Sequence, residues 1–273
     1  MSKTRQKARP APSTHRRACV TTLARDYAPG YLIPPHSHRR DQLVYASRGV
    51  MTVRARAGEW VVPTNRAVLI PAGVRHEITM CGAVAMRTLY LEPGLAKDLP
   101  RICRVVNVSP LLKELILRAC EYRRLNARVG RERHLIDVIL DQMETVQAVP
   151  LQLPNPTDPR ALRVAQTLLS RPAESRPLGR VCMVAGASKR TIERLFQREV
   201  GMSVGKWRQQ LRLMKAMQLL AAGAKVTHAA LEAGYSTPSA FISMFRKTLG
   251  STPASYFRRP TERMRSSDGA RLL

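Results

Sequence analysis

The segment PPHSHRRDQLVYASRGV, residues 34–50, contains the side chains whose types and spacing first suggest chemistry. His36 and His38 are one residue apart, and Gln42 follows four positions after the second histidine, at the start of an apolar stretch. Imidazole nitrogens are the commonest protein ligands of transition metals, and a neutral amide oxygen is a weaker ligand. The pattern is compatible with a metal site, with the remnant of a metal site, or with a polar opening that never held a metal.

The overall charge of the chain indicates a polyanionic partner. Its 273 residues carry a formal net charge of +27 at pH 7, and 44% of them are hydrophobic, as in a globular protein. A basic excess of this size is typical of proteins that bind nucleic acid, and less often of proteins that bind anionic membranes. We therefore expect a folded protein with nucleic acid as its partner.

Other bulk features predict the compartment. No apolar run reaches the roughly 18 residues that a membrane-spanning helix needs, and no apolar core follows the basic N-terminus as in a signal peptide. The five cysteines are scattered and form no C-x-x-C pair, which favours reduced thiols over a disulfide framework. These features predict a cytoplasmic protein with no membrane partner.

The N-terminal half contains a basic segment followed by a segment with the pattern of β-strands. Residues 1–21 are basic and proline-containing without an acidic residue, which predicts a disordered tail. From residue 22 to about 92, short apolar runs are broken by Gly and Pro, which predicts antiparallel strands. The strand candidates include VMTVRARAG, EWVVP, RAVLIP and AVAMRTLYLEP.

Two helices are predicted between about residues 109 and 146. Ser109 and Pro110 form an N-cap followed by a first-turn proline, which predicts the start of the first helix. Its apolar stripe is predicted at Leu111, Leu115 and Ile116. The second helix, about 131–146, has its predicted stripe at Leu135, Val138, Ile139 and Met143. Such stripes need a partner surface, which is either a second copy of the chain or the β domain of the same copy.

A proline-rich segment separates the two halves. The sequence AVPLQLPNPTDP contains four prolines, which predicts a stiff linker over residues 149–158. The β domain with its helices then covers residues 22–148, a helical domain covers 159–259, and a flexible tail covers 260–273. The expected fold class is α+β with two domains.

The helical domain contains two helix-turn-helix patterns. LGRVCMVAGASKRTIERLFQREVG has a helix, a turn around Gly186, and a second helix capped by Ser188. VTHAALEAGYSTPSAFISMFRKTLG repeats this pattern about 45 to 50 residues later, with a turn at Gly234 and a cap at Thr237. A long helix over about residues 203–222 is predicted to join the two units.

These segments closely resemble the DNA-binding domain of AraC/XylS-type bacterial transcription regulators. The resemblance extends over about 100 residues in the same order and spacing. It implies two helix-turn-helix units on one rigid linker helix, which enter successive major grooves of operator DNA. Arginines exposed near the N-terminal end of a helix suit the reading of base edges, so the chemistry of the residues agrees with the resemblance.

The resemblance also implies which residues contact DNA. Arg190, Glu193 and Arg194 match base-contacting positions of the first recognition helix, although an arginine there can instead bind phosphate or solvent. The complete predicted set is Ser188, Lys189, Arg190, Glu193, Arg194, Gln197, Thr237, Ser239, Ile242, Ser243, Arg246 and Lys247.

The N-terminal half resembles the sensor domain of the same regulators, an antiparallel cupin-like β-barrel. GYLIPPHSHRRDQLVYASRG looks like the first cupin motif, and PAGVRH looks like the core of the second. A cupin typically holds one divalent metal with two His, a Glu and a third His. The resemblance therefore implies a possible divalent transition-metal or effector site at His36, His38, Gln42 and His76.

The chain departs from the cupin pattern at Gln42, which replaces the Glu, and at Asn65, which replaces the leading Gly of the second motif. Three imidazoles suit Zn, Ni, Cu or Fe, but the missing carboxylate weakens metal binding. A weakened metal site, a pocket for a small organic effector and a structural remnant all stay open.

We expect a DNA-binding transcription regulator whose N-terminal domain senses an effector or metal and modulates operator binding. Its expected partners are double-stranded DNA, RNA polymerase or a second copy of the chain, and an unidentified small effector. The alternatives are a constitutive DNA-binding protein whose β domain only dimerises, and a metal-dependent cupin enzyme. We favour a protein that is not an enzyme, because no general base is recognisable beside the histidines.

Overall fold

A computed structural model describes residues 19–93, 95, 102–143, 145–146 and 151–257. The strands of the first half are β1 Cys19–Tyr27, β2 Leu32–His36, β3 Asp41–Arg48, β4 Met51–Ala55, β5 Gly58–Val62, β6 Arg66–Ile70, β7 His76–Met80, β8 Val84–Leu91 and β9 Arg104–Asn107. They are followed by α1 Pro110–Cys120, β10 Arg124–Asn126, α2 Gly130–Asp141, β11 Thr145–Val146 and β12 Gln152–Pro154. The helices of the second half are α3 Pro159–Ser170, α4 Leu178–Val184, α5 Lys189–Val200, α6 Val204–Ala221, α7 Val226–Glu232, α8 Pro238–Leu249 and α9 Pro253–Tyr256.

The predicted tails lie mostly outside this description. Residues 1–18 and 260–273 are not among the described residues. Strand β1 begins at Cys19, inside the segment predicted as the N-terminal tail, because residues 19–21 pair with Arg124–Asn126 of β10. The first domain therefore starts before residue 22.

The first domain consists of two antiparallel sheets packed face to face. The seven-stranded sheet has the order β10-β1-β8-β3-β6-β9-β11, and the five-stranded sheet has the order β12-β5-β4-β7-β2. Among the described residues, no strand pairing joins the two sheets, so the barrel of the cupin-like domain consists of two facing sheets that are not closed on each other. The predicted antiparallel β domain is confirmed.

Side-chain alternation explains why strand β3 is apolar on both faces. Val44 and Ala46 face the other sheet, where they pack among residues such as Met51 and Ile78. Leu43 and Tyr45 point the opposite way and pack under helices α1 and α2. A strand covered on both faces is buried almost continuously, as β3 is from residue 42 to residue 46.

Helices α1 and α2 cover their own sheet. Ser109 caps α1 by accepting a hydrogen bond from the Leu112 backbone N–H, as predicted. The buried positions of the two helices are Leu112, Ile116, Ala119, Ile136 and Ile139. The predicted stripe is wrong at Leu111 and Val138, which are exposed because the stripe facing the sheet is rotated around each helix.

The second helix is also shorter than predicted. It ends at Asp141, and Thr145–Val146 instead forms a strand that pairs with β9. Without Thr145–Val146, β9 would be the edge strand of its sheet and its outer backbone groups would be unpaired. This pairing depends on a distant strand, so the local sequence pattern did not indicate it.

The proline-rich segment is not a free linker over its full length. Gln152–Pro154 forms strand β12, which pairs with β5 at the edge of the five-stranded sheet. Proline is tolerated there because an edge strand leaves some backbone N–H positions unpaired. A Cβ atom at Gly58 would lie 2.4 Å from the Leu153 carbonyl oxygen, so glycine allows this close pairing.

The helical domain has the predicted organisation. Asp158 caps α3, Ser203 caps α6, and helix pairs α4–α5 and α7–α8 flank α6 in sequence. The turns of the two pairs contain Gly186 and Gly234, which have φ values of 82° and 83° that favour glycine. In the described part of the chain, no helix combines the length and the apolar character that crossing a bilayer requires.

Candidate functional site

The three predicted histidines meet at one end of the sandwich. His36 ends β2, and His38 lies in the loop between β2 and β3. His76 begins β7 and pairs with His36. The ring centroids are 4.3 Å apart for His36 and His76, and 5.2 Å apart for His38 and His76. One ligand nitrogen from each ring lies within 4.8 Å of those of the other two, which is close enough to share one metal ion. We call these residues the histidine cluster.

Hydrogen bonds to the backbone orient each imidazole. Nδ1 of His36, His38 and His76 lies 2.9, 2.6 and 3.0 Å from the carbonyl oxygens of Pro34, Arg40 and Val74, respectively. A carbonyl oxygen only accepts, so each neutral ring carries its proton on Nδ1 and has a lone pair on Nε2. Backbone partners of this kind orient metal-binding histidines in many metal sites.

His76 supplies a second indication of a ligand. Its ring is buried, and its Nε2 has no hydrogen-bond partner among the described residues. Burial lowers the pKa of His76 to about 4, helped by the neighbouring His36 and His38 and opposed by the hydrogen bond to the Val74 carbonyl. The ring is therefore neutral at pH 7, with a buried lone pair that a cation or a donor group can satisfy.

Gln42 is held by side chains of β8, the strand next to β3 in the same sheet. Its Nε2 donates to Thr88 Oγ1 at 3.2 Å and to the Tyr90 hydroxyl at 3.3 Å. Because the Thr88 hydroxyl donates to the Leu43 carbonyl, it can accept from the amide, and this orientation turns Gln42 Oε1 toward the cluster. Thr88 and Tyr90 were not predicted from the sequence, although alternation along β8 places residues 86, 88 and 90 on one face.

Both ring nitrogens of His38 lie close to an oxygen atom. Gln42 Oε1 lies 2.7 Å from His38 Nε2, while His38 Nδ1 faces the Arg40 carbonyl. A neutral imidazole cannot donate from both nitrogens, so a ring that donates to Arg40 from Nδ1 turns its Nε2 lone pair toward the Gln42 oxygen, an arrangement that a shared cation would stabilise. Three imidazole nitrogens and one amide oxygen form a donor set that suits a divalent transition metal.

Two carboxylates of the first domain, Glu59 and Glu77, lie away from the histidine cluster. Both bond to Arg54 on the outer face of the five-stranded sheet, whereas the cluster faces the interior. Neither carboxylate is therefore available as a general base beside the histidines.

The first predicted recognition helix, α5, has a buried and an exposed side. Ile192, Leu195 and Phe196 are buried, and Ser188 caps the helix by accepting from the Thr191 N–H at 3.2 Å. The exposed residues include Lys189, Arg190, Arg194 and Gln197 from the predicted set. These side chains have the charge and exposure needed to contact DNA.

Glu193 and Glu199 of α5 have partners within the protein. Glu193 Oε2 accepts from the Val204 N–H at 3.1 Å, at the start of α6. Glu199 Oε2 accepts from the Thr157 and Asp158 N–H groups at 2.7 and 3.0 Å, and these bonds lower the pKa of Glu199 to about 2. The structure thus gives Glu193, which we predicted to contact bases, a structural bond at the start of the linker helix.

The second predicted recognition helix, α8, begins at the predicted cap. Thr237 accepts from the Ala240 N–H at 3.2 Å, and Phe241 and Phe245 are buried. Ile242 is half-buried against the helical core. The exposed predicted residues are Ser239, Ser243, Arg246 and Lys247.

Two basic helix-turn-helix units on one connecting helix, joined to a β domain with an internal polar cluster, define a DNA-binding protein with a separate ligand-binding domain. Two family models agree: the AraC-like ligand binding domain matches residues 19–152, and a helix-turn-helix domain matches residues 181–259. The chain is 33% identical over 250 residues to the HTH-type transcriptional regulator NimR of Escherichia coli (strain K12), covering 92% of this chain and 91% of that protein. The chain therefore belongs to the AraC/XylS family of DNA-binding transcription regulators.

Solved structures with related domain content are more distant. The unsaturated fatty acid-bound wild-type ToxT of Vibrio cholerae strain SCE256 has 10% sequence identity and a TM-score of 0.37, covering 88% of this chain and 95% of that chain. The DNA-binding domain of AdpA in complex with a target DNA has 30% identity and a TM-score of 0.35, covering 37% of this chain and 91% of that chain.

Proposed function

We propose that occupancy of the histidine cluster controls how tightly the two recognition helices bind operator DNA. The observation that carries this proposal is the buried, unpartnered Nε2 of His76, which points into a cluster of ligand atoms inside the domain that precedes the DNA-binding domain. A protein does not gain stability from leaving such a nitrogen unpaired, which favours a bound ligand in the working state.

The ligand class that this cluster fits best is a divalent transition metal. His36, His38, His76 and Gln42 would hold the ion, and the ion would link β2 and β7 at the end of the sandwich. Three imidazoles whose Nδ1 atoms all face backbone carbonyls direct their Nε2 lone pairs away from the backbone, which supports this proposal over a structural remnant. An organic effector is the other outcome of the test below.

DNA contacts are proposed at the exposed residues of α5 and α8. Arg190 and Arg194 are proposed to contact base edges, and Arg246 and Lys247 to contact phosphate. Ser188 and Thr237 are proposed to contribute as the caps that set the start of each helix. RNA polymerase or a second copy of the chain is proposed as a protein partner, and Leu111 and Val138 are exposed apolar residues available for such a contact.

The test measures DNA affinity with and without metal. Operator sequences are first obtained by binding-site selection, and affinity is then measured by fluorescence anisotropy with Zn²⁺, Ni²⁺ or Co²⁺. We expect at least one ion to change the DNA affinity by about 5-fold or more, within the usual range of coupling between sites. His38→Ala should abolish this effect.

The control replaces a histidine outside the cluster. His134 is exposed on α2, so His134→Ala should keep the metal response of the wild-type protein. DNA binding that no metal changes, in a protein that elemental analysis shows to be metal-free, would favour an organic effector or a constitutive DNA-binding protein.

A further inference from the structure

The end of helix α6 is docked on the outer face of the five-stranded sheet. Gln218 Nε2 donates to Thr52 Oγ1 at 3.0 Å and to Glu59 Oε1 at 3.2 Å. A Cβ atom at Gly82, just after β7, would lie 2.3 Å from the Ala221 carbonyl oxygen. The helix that joins the two helix-turn-helix units therefore touches the β domain where there is no room for an added side chain.

An ion-pair network lies beside this docking point. In the register of the sheet, Arg54 of β4 is directly opposite Glu59 of β5 on one side and Glu77 of β7 on the other. Its Nη1 donates to Glu77 Oε1 at 2.6 Å, and its Nε and Nη2 donate to Glu59 Oε2 at 3.1 and 2.9 Å. One guanidinium thus connects three neighbouring strands, and the second carboxylate oxygen of Glu59 accepts from Gln218.

Strand β7 connects this network to the histidine cluster. Successive residues of a strand point to opposite faces. His76 therefore faces the interior, whereas Glu77, bonded to the same peptide group, faces Arg54. Any displacement of the β7 backbone at His76 also displaces the Glu77 carboxylate.

We propose that the route His76–Glu77–Arg54–Glu59–Gln218 transmits the state of the histidine cluster to helix α6. This inference rests on the proposed function, because it takes the cluster to be the effector site. Since α6 lies between the two helix-turn-helix units, a change in how its end is held alters the support of both recognition helices. If the network only fastened the two domains together, the hydrogen exchange of the end of α6 would be the same whether the cluster is occupied or not.

The experiment follows hydrogen exchange of residues 214–222 in the full-length protein by mass spectrometry. The cluster is perturbed in two ways: by adding Zn²⁺, and by His76→Ala without metal. In the wild-type protein, we expect Zn²⁺ to slow the exchange of this segment by about 5-fold or more, and His76→Ala to speed it up.

Two variants interrupt the route while leaving the cluster intact. Glu59→Gln retains an amide oxygen for Gln218 but loses the charge that holds Arg54, and Arg54→Gln removes the guanidinium. Both variants should bind Zn²⁺ with wild-type affinity by calorimetry, but Zn²⁺ should no longer change the exchange of residues 214–222. Asp137→Asn removes a surface ion pair with Arg133 on α2 and should behave as wild type.

The outcomes distinguish this route from the proposed function. The route is wrong if the cluster perturbations change α6 equally in wild type and Glu59→Gln, or if neither perturbation changes α6 in wild type. If Zn²⁺ does not bind or does not alter DNA affinity, while His76→Ala changes α6 only when Arg54 and Glu59 are intact, the proposed metal control fails and the route stands.

Discussion

Gln42 shows how neighbours determine what a single side chain can do. An amide oxygen is a weaker metal ligand than a carboxylate because it is neutral, and a freely rotating amide can also turn its nitrogen toward the ion. Here the Thr88 hydroxyl, which is itself committed to the Leu43 carbonyl, accepts from the amide nitrogen and so directs the oxygen toward His38. The replacement of a carboxylate by glutamine is therefore partly offset by orientation.

Removal of the Thr88 hydroxyl should weaken metal binding without removing a ligand. Thr88→Val keeps the shape of the side chain but removes one of the two acceptors of the Gln42 amide nitrogen, leaving the Tyr90 hydroxyl. Loss of an orienting group of this kind typically costs about 10-fold or more in metal affinity. Zn²⁺ affinity measured by calorimetry checks this, with Gln42→Glu expected to bind more tightly than wild type. Thr79→Val is the matched control, since Thr79 lies on β7 and does not bond to Gln42; equal affinity in the Thr88 and Thr79 variants would contradict the role of Thr88.

At this scale the sequence identified the residues that come together in the cluster but not the groups that support them. His36, His38, Gln42 and His76 could be identified because their spacing matches a known motif. Thr88 and Tyr90 could not, because their contact with Gln42 depends on which strands pair, and β3 and β8 are distant in sequence. The backbone carbonyls that orient the imidazoles depend on loop conformation, which side-chain types do not specify.

Elements with strong local signals were predicted well, and elements stabilised by distant partners were not. The caps predicted at Ser109, Ser188 and Thr237 mark helix starts that the structure confirms, because a cap bonds to a backbone group three residues away. Strand β12 was predicted as linker, because its stability comes from pairing with β5 about ninety residues earlier in the chain. The buried stripe of α2 was misplaced because several apolar residues of this helix could face the sheet.

The two recognition helices should contribute differently to DNA recognition. Arg194 on α5 can form two hydrogen bonds with guanine, worth about 1–3 kcal/mol of base discrimination, whereas the exposed serines of α8 accept several bases. Arg194→Ala should therefore relax base preference in one half of the site. Arg246→Ala should weaken binding to all sequences and reduce its salt dependence, as expected for a phosphate contact.

Binding-site selection with each variant at one ionic strength checks this assignment. Glu193→Gln is an informative third variant, because Glu193 bonds to the Val204 N–H and should affect stability more than base preference. Loss of base preference in Arg246→Ala, with none in Arg194→Ala, would reverse the assigned roles.

At the scale of the whole molecule, the two domains share part of one core. Val50 and Val61 of the β domain, and Leu151 and Leu153 of the connecting segment, belong to the same buried cluster as the helices α3 to α8. Tyr256 of α9 donates to Asn65 Oδ1 at 2.9 Å, and burial raises the pKa of Tyr256 to about 12. The proline-rich sequence suggested independent modules, but the packing makes the DNA-binding domain dependent on residues before it.

Two fragments that differ in their starting residue should therefore differ in stability. The Trp207 indole donates to the Pro154 carbonyl at 2.9 Å, and a fragment that begins at residue 155 lacks this carbonyl and both leucines. A fragment that begins at residue 149 retains them. Burial of a leucine side chain contributes about 1.5–3 kcal/mol. Part of the burial of Leu151 and Leu153 comes from β5, which both fragments lack, so we expect the shorter fragment to be less stable by about 2–4 kcal/mol. Urea denaturation followed by fluorescence measures this difference in stability, since Trp60, the other tryptophan of the chain, is absent from both fragments.

Both fragments should bind DNA at low salt. Equal stabilities would contradict the shared core, and a folded fragment without DNA affinity would contradict the assignment of the DNA-binding surface.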